Sequence, residues 1–172
     1  MRLTNSRGWA ILPPGTDTET LARVLSGAEP VEKGRVLLQG VDITGVSPGT
    51  LRRGVSVLTA SPVVLRGSLR RVLTLGLSIR PQDEAILRQL KIKGLDGVLA
   101  SFGGLDRQIA EDAQDVAPTG RFALSTLRAA LKCPALILVT ERVEDPDIAA
   151  WLDRQKATRL FYEPKVQAGA KQ

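Results

Sequence analysis

Gly8-Trp-Ala-Ile-Leu-Pro-Pro-Gly-Thr-Asp-Thr-Glu-Thr-Leu-Ala-Arg-Val-Leu-Ser-Gly27 reads as a strand, a turn and a helix in succession. Trp9 to Leu12 is an apolar strand, Pro13-Pro14-Gly15 is the turn, and a helix runs from about Asp17 to Ser26. Such a unit normally cradles phosphates with backbone N–H groups and one lysine, in the pattern G-x-x-x-x-G-K-[S/T]. Leu12 and Asp17 stand at the two glycine positions, Thr18 replaces the lysine, and Glu19 replaces the magnesium-binding hydroxyl. The residues left to touch an anion are Gly15, Thr16, Thr18 and Thr20. Taken for itself, Thr16-Asp17-Thr18-Glu19 fits S/T-x-x-E, a capping box that satisfies a helix's own free N–H groups. Acids in a first turn also complement the helix dipole. Two readings follow: a helix start sealed by its own side chains, and a residual anion or nucleotide site.

The chain has 172 residues, enough for one domain with a real core. Hydrophobic residues make up 43% and aromatics only 3%, so the core is expected to be Leu/Val/Ala packing. No apolar run approaches the roughly 20 residues that span a bilayer, and no signal peptide is visible. There is no histidine, which removes His-based acid–base chemistry, His metal sites and Ser-His-Asp arrangements. The single cysteine, Cys133, lies in an apolar-flanked segment and is expected to be a buried structural thiol. No metal site is expected. These features predict a cytoplasmic chain. The net charge is +6 and the pI about 10.0. The cations are scattered in pairs and aromatic stacking platforms are nearly absent, so a solvated basic surface is favoured over nucleic-acid binding.

Further along, Gly34 to Gly40 reads as a short strand and Val55 to Thr59 as a β-branched one ending at Ser61-Pro62. Ser68 to Leu75 is amphipathic. Pro81 to Leu90 is a helix with acids in its first turn, and Leu95 to Ala100 is another helical piece. Phe122 to Leu131 has helical spacing, and Lys132-Cys133-Pro134 stops it. Ala135 to Val139 is a fully apolar strand of the kind buried on both faces of a parallel sheet. Ile148 to Gln155 is a helix, Arg159 to Tyr162 a last strand, and 164–172 a polar tail. Strands alternating with helices around one helical block (about 63–125) predict an α/β parallel sheet with a helical insertion.

The order of these segments resembles the nucleotide-binding domain of ABC transporters, of the exporter type, over about residues 8–162. Its best stretch is Gly34 to Leu75: Gly-Arg-Val-Leu-Leu-Gln-Gly-Val-Asp-Ile, then Leu-Arg-Arg-Gly-Val-Ser-Val-Leu, then Ser-Pro-Val-Val-Leu-Arg-Gly-Ser-Leu-Arg-Arg-Val-Leu. Gly104-Leu105-Asp106 with Ile109 and Glu111 is similar to the segment before the family's signature motif. Arg128-Ala-Ala-Leu131, Pro134 and Leu136-Ile-Leu138 resemble the helix and strand that lead to its Walker B acids. The resemblance implies a P-loop NTPase-like (RecA-like) fold: core parts at 1–62 and 128–163, a helical subdomain at 63–127, and a tail at 164–172. It also implies truncation at both ends relative to the family.

The departures fall on the family's chemistry. Its glutamine falls at Ala60, its signature on Val116-Ala-Pro-Thr-Gly120 and its Walker B aspartate at Thr140; its switch histidine has no counterpart. Only Glu141 stands where the catalytic glutamate belongs, and it is expected to be inactive. The resemblance implies contact with a transmembrane transporter subunit through Pro62, Leu65, Arg66, Arg70 and Glu111. It also implies pairing with another nucleotide-binding domain, at the inner face of a membrane. The expected function is a non-hydrolysing structural or regulatory component of a transporter or similar assembly, with no cofactor. Two alternatives stay open: a subunit or fragment that binds ATP and magnesium weakly, and a basic nucleic-acid-binding module.

Overall fold

A computed structural model describes residues 2–3, 9–13, 15–38 and 40–161; Pro14, Tyr162 and the expected tail at 164–172 lie outside the described residues. The elements run β1 (Arg2–Leu3), β2 (Trp9–Ile11), α1 (Thr18–Leu25), β3 (Leu37–Leu38), β4 (Val41–Asp42), α2 (Pro48–Gly54) and β5 (Val55–Leu58). They continue with β6 (Gly67–Ser68), α3 (Leu69–Thr74), α4 (Asp83–Ile92), α5 (Asp96–Ala100), β7 (Gln108–Ile109), α6 (Pro118–Lys132), β8 (Leu136–Val139), α7 (Pro146–Asp153) and β9 (Thr158–Phe161).

The central sheet has the order β2-β9-β8-β5, and every pairing in it is parallel. All four residues of β8 are buried, as expected for an inner strand covered on both faces. Alternation along it separates the two halves of the core. Leu136 and Leu138 join Leu12, Leu25, Val55 and Leu160 on the face that α1 covers. Ile137 and Val139 point the other way, into a larger cluster with Leu124 and Leu127 of α6 and Trp151 of α7. That cluster also takes in Leu69, Leu73, Ile86 and Leu90 from α3 and α4, so the inserted helices share one core with the sheet. The insertion is closed at its base by the antiparallel pair β6-β7. Helix α6 is unbroken across residues 127 and 128, where the sequence placed the end of the helical subdomain.

Local chemistry sets the helix starts. Ser47 caps α2 ahead of Pro48 at its first turn, and Ser68 caps α3 through the Arg71 N–H. Pro118 likewise opens α6, four residues ahead of the predicted start at Phe122. Cys133 corrects an expectation: it is exposed, not buried. It sits just past the last turn of α6 in the left-handed region (φ 52), outside the face that packs on the sheet, with its Sγ 3.1 Å from Lys93 Nζ.

The preceding residue, Lys132, does more than end the helix. Lys132 Nζ donates to the Val55 carbonyl at 2.7 Å. Burial, with the Arg128 guanidinium adding to it, pushes its ammonium down to about 8 from 10.5. A lysine with a depressed folded pKa leaves the unfolded chain holding more protons between those two values. Stability should therefore rise with pH from about 8 to 10.5. Lys132 is only partly buried, so the rise is screened to about 1 kcal/mol. Urea midpoints at stepped pH should show the rise in the parent chain and a flatter profile in Lys132→Met.

Candidate phosphate-loop site

The loop between β2 and α1 is anchored where Leu12 N–H donates to the Phe161 carbonyl of β9 at 2.8 Å. It then turns at once: Thr16 N–H reaches back to the Pro13 carbonyl at 3.1 Å, and Thr16 Oγ1 donates to the same oxygen at 2.7 Å. Gly15 makes this possible at φ 86. Nothing lies within 4 Å of where a Cβ would stand there, so its backbone freedom is needed for the turn and for no close approach.

Asp17, not Thr16, is the cap of α1, which corrects the predicted capping box. Asp17 Oδ1 accepts from the N–H groups of Glu19 and Thr20 at 3.0 and 3.1 Å, and its Oδ2 accepts from Thr20 Oγ1 at 2.7 Å. A carboxylate is the stronger acceptor for two helix-terminal donors, while the Thr16 hydroxyl is held by the Pro13 carbonyl. Glu19 does not reach back. It turns one turn onward to Arg23 Nη1 at 2.7 Å, and Arg23 also pairs with Glu29. The Thr20 hydroxyl, the Thr20 and Glu19 N–H groups and the nearby Arg23 hold the Asp17 carboxyl below its usual range. Two donors that a phosphate loop would offer are absent in another way, because Pro13 and Pro14 carry no N–H. That loss is plain in the sequence, and the comparison of glycines and lysine alone misses it.

The other motif positions lie at the carboxyl ends of the same strands. Thr140, at the end of β8, sends both its N–H and its Oγ1 to the Leu58 carbonyl of β5 at 3.0 Å. The following Glu141 is exposed in the loop. Ala60 lies in the bend after β5, which Ser125 Oγ ties to α6 through the Thr59 carbonyl at 3.0 Å. Val116 and Ala117 lead into α6 and Pro118 to Gly120 form its start; a Cβ on Gly120 would stand 2.6 Å from Val116 Cγ1, so the chain folds tightly on itself. Arg121 Nε holds the turn by donating to the carbonyls of Ala113 and Val116 at 3.1 and 2.8 Å.

The residues expected at a partner interface separate into three kinds. Leu65, Arg66 and Glu111 are exposed, whereas Pro62 is buried. Arg70 is held by an ion pair to Asp83, with Asp106 at 3.0 Å as a second partner, so its charge is engaged inside the insertion. Sequence reasoning left Asp112 unread and took Arg128 only as part of a helix, yet both fix the loop that carries Leu65. Asp112 N–H donates to the Val64 carbonyl at 2.8 Å, Val64 N–H returns to Asp112 Oδ1 at 3.5 Å, and Arg128 Nη1 donates to the Val63 carbonyl at 3.0 Å. Asp112 and Ala113 hold φ of 50 and 51, a left-handed pair next to Glu111. No spacing pattern signals these contacts, because 48 and 65 residues separate the partners.

The fold matches that of a bacterial Atm1-family ABC exporter solved with ATP bound, at a TM-score of 0.72. The match covers 94% of this chain and 30% of that one at 20% identity. No protein-family model matches the chain. It is 28% identical over 138 residues to the mycobactin import ATP-binding/permease protein IrtB of Mycolicibacterium thermoresistibile. It is also 29% identical over 134 residues to the human mitochondrial iron-sulfur clusters transporter ABCB7. These alignments cover 80% and 77% of this chain, which spans only 24% and 18% of those relatives. The parallel four-stranded sheet with its inserted helices matches the fold of an ABC ATPase-like fragment. The homologues of this chain are ABC exporter proteins, and the chain is an ABC exporter nucleotide-binding-like region.

Proposed function

We propose that this region does not hydrolyse ATP and acts by contact, as a structural or regulatory component of an ABC transporter or a similar assembly. The observation that carries the reading is the Asp17 carboxylate on the N–H groups of Glu19 and Thr20, where a phosphate would sit. Phosphoryl transfer is almost entirely positioning and charge stabilisation. Around this helix start, Thr16 N–H is also occupied, Pro13 and Pro14 offer no donor, and Asp17 and Glu19 present carboxylates to an anion. These residues do not fit a nucleotide triphosphate with its metal. Thr140, engaged with the Leu58 carbonyl, supplies no metal-binding carboxylate at the neighbouring strand end. Glu141 is flanked by Thr140 and Arg142, so no acid adjacent to it in the chain helps it activate a water.

The contact surface proposed is the junction of Leu65, Arg66 and Glu111. It would meet a transmembrane subunit or another nucleotide-binding domain at the inner face of a membrane. A competing reading, a region that retains weak ATP binding, draws on IrtB being an ATP-binding/permease protein and on the ATP in the similar exporter structure.

Thermal unfolding with MgATP separates the two. A site filled at about 100 times its Kd stabilises by about 2.7 kcal/mol, a rise of roughly 5–10 °C in Tm for a chain of this size. The expected result at millimolar MgATP is no rise beyond about 1 °C. A rise of several degrees that needs magnesium would select the competing reading.

A further inference from the structure

We infer that the outer face of α4, with the residues leading into it, is a docking surface for an anionic lipid membrane. Residues 79–95 carry four Lys or Arg against two Asp or Glu. Ile86 and Leu90 turn the inner side of α4 into the core. Helical spacing then places Leu87, Arg88, Lys91 and Ile92 outward. Ile79, in the segment leading into α4, is 83% exposed, and Leu87 and Ile92 on the helix are 47% and 78% exposed. Large apolar side chains so exposed along one edge mark an interaction surface.

The charges around them select its kind. Arg80, Arg88 and Lys91 form no ion pair among the described residues. Of the two acids, Asp83 is already neutralised by Arg70, which leaves Glu84 against three free cations. A helix with one face in a protein core, cations on its outer side and apolar residues among them suits the headgroup boundary of an anionic bilayer. This surface is distinct from the Leu65–Glu111 junction, and it does not depend on the fate of the phosphate loop.

Co-sedimentation of the whole chain with phosphatidylcholine vesicles, with and without roughly a quarter phosphatidylserine, tests it. Binding is expected only with the anionic lipid and should weaken steeply with salt. Each cation near such a surface contributes about fivefold in affinity. Arg80→Glu with Arg88→Glu should therefore lower binding by at least tenfold, and Ile79→Ser with Ile92→Ser several-fold. Arg52→Glu with Arg53→Glu, an equal charge change at exposed positions of α2, should lower it far less. A dye on Ile79→Cys, in a Cys133→Ser background, should shift to the blue with anionic vesicles and reports the same face without altering its charge. No binding at low salt, equal binding to neutral vesicles, equal losses in the two Arg pairs, or an unshifted dye would each overturn the inference. Such a result would leave the MgATP experiment untouched.

Discussion

A chain carrying Leu138→Asp is expected to show no cooperative unfolding transition in urea and to lose its native circular dichroism. Leu138 is fully buried in β8, which is paired in parallel with β5 on one side and β9 on the other. Its side chain packs among Leu12, Leu25, Val55, Leu136 and Leu160, all apolar. The substitution loses about 2 kcal/mol of apolar burial and adds a carboxylate with no cation in that cluster. An unpaired buried charge costs several kcal/mol more, even after relaxation. The sum rivals the whole stability of a typical domain, about 5–15 kcal/mol. A normal transition in Leu138→Asp would mean that β8 is not the centre of the sheet.

Arg159→Met should move stability the other way, raising it by about 1 kcal/mol and Tm by roughly 2–4 °C. Arg159 lies in β9 with only 8% of its surface exposed. Nη1 donates to the Leu152 carbonyl at 2.7 Å, and the nearest carboxylate, on the exposed Asp153, is 3.8 Å away. Nε has no partner among the described residues. The guanidinium is thus desolvated with little returned. Its removal leaves nothing stranded, because Gln155 N–H still donates to the Leu152 carbonyl at 3.0 Å. Met fills the space with a flexible apolar chain. Urea midpoints of the two proteins decide the sign, and a loss above about 1 kcal/mol would mean that the guanidinium has an acceptor besides the Leu152 carbonyl and Asp153.

The sequence carried the architecture because its signals are periodic and local. The unbroken apolar run at 135–139 reads as an inner strand, and Leu136 to Val139 is buried throughout. Pro81 with Asp83 and Glu84 marked the start of α4 to within two residues. Cys133 shows the limit of such signals. Apolar neighbours in sequence suggested burial, but one residue in the left-handed region past the last helical turn turned it out to solvent. The cap of α1 shows another: Thr16 and Asp17 were both chemically able to cap, and the turn geometry chose between them.

What the amino-acid order determined by itself is the set of chemical losses: no histidine, no loop lysine, Thr140 in place of an acid, and two prolines without N–H groups. These follow from residue type alone and hold in any fold. Tertiary structure decided which groups occupy the vacated positions. The Asp17 carboxylate lies on the free end of α1, the Thr140 hydroxyl on the Leu58 carbonyl, and Asp112 and Arg128 on the loop before β6. Hydrogen bonds of this kind depend on angles and on distances of about 3 Å. Only the packed chain sets those values, since three of these four contacts join residues far apart in sequence.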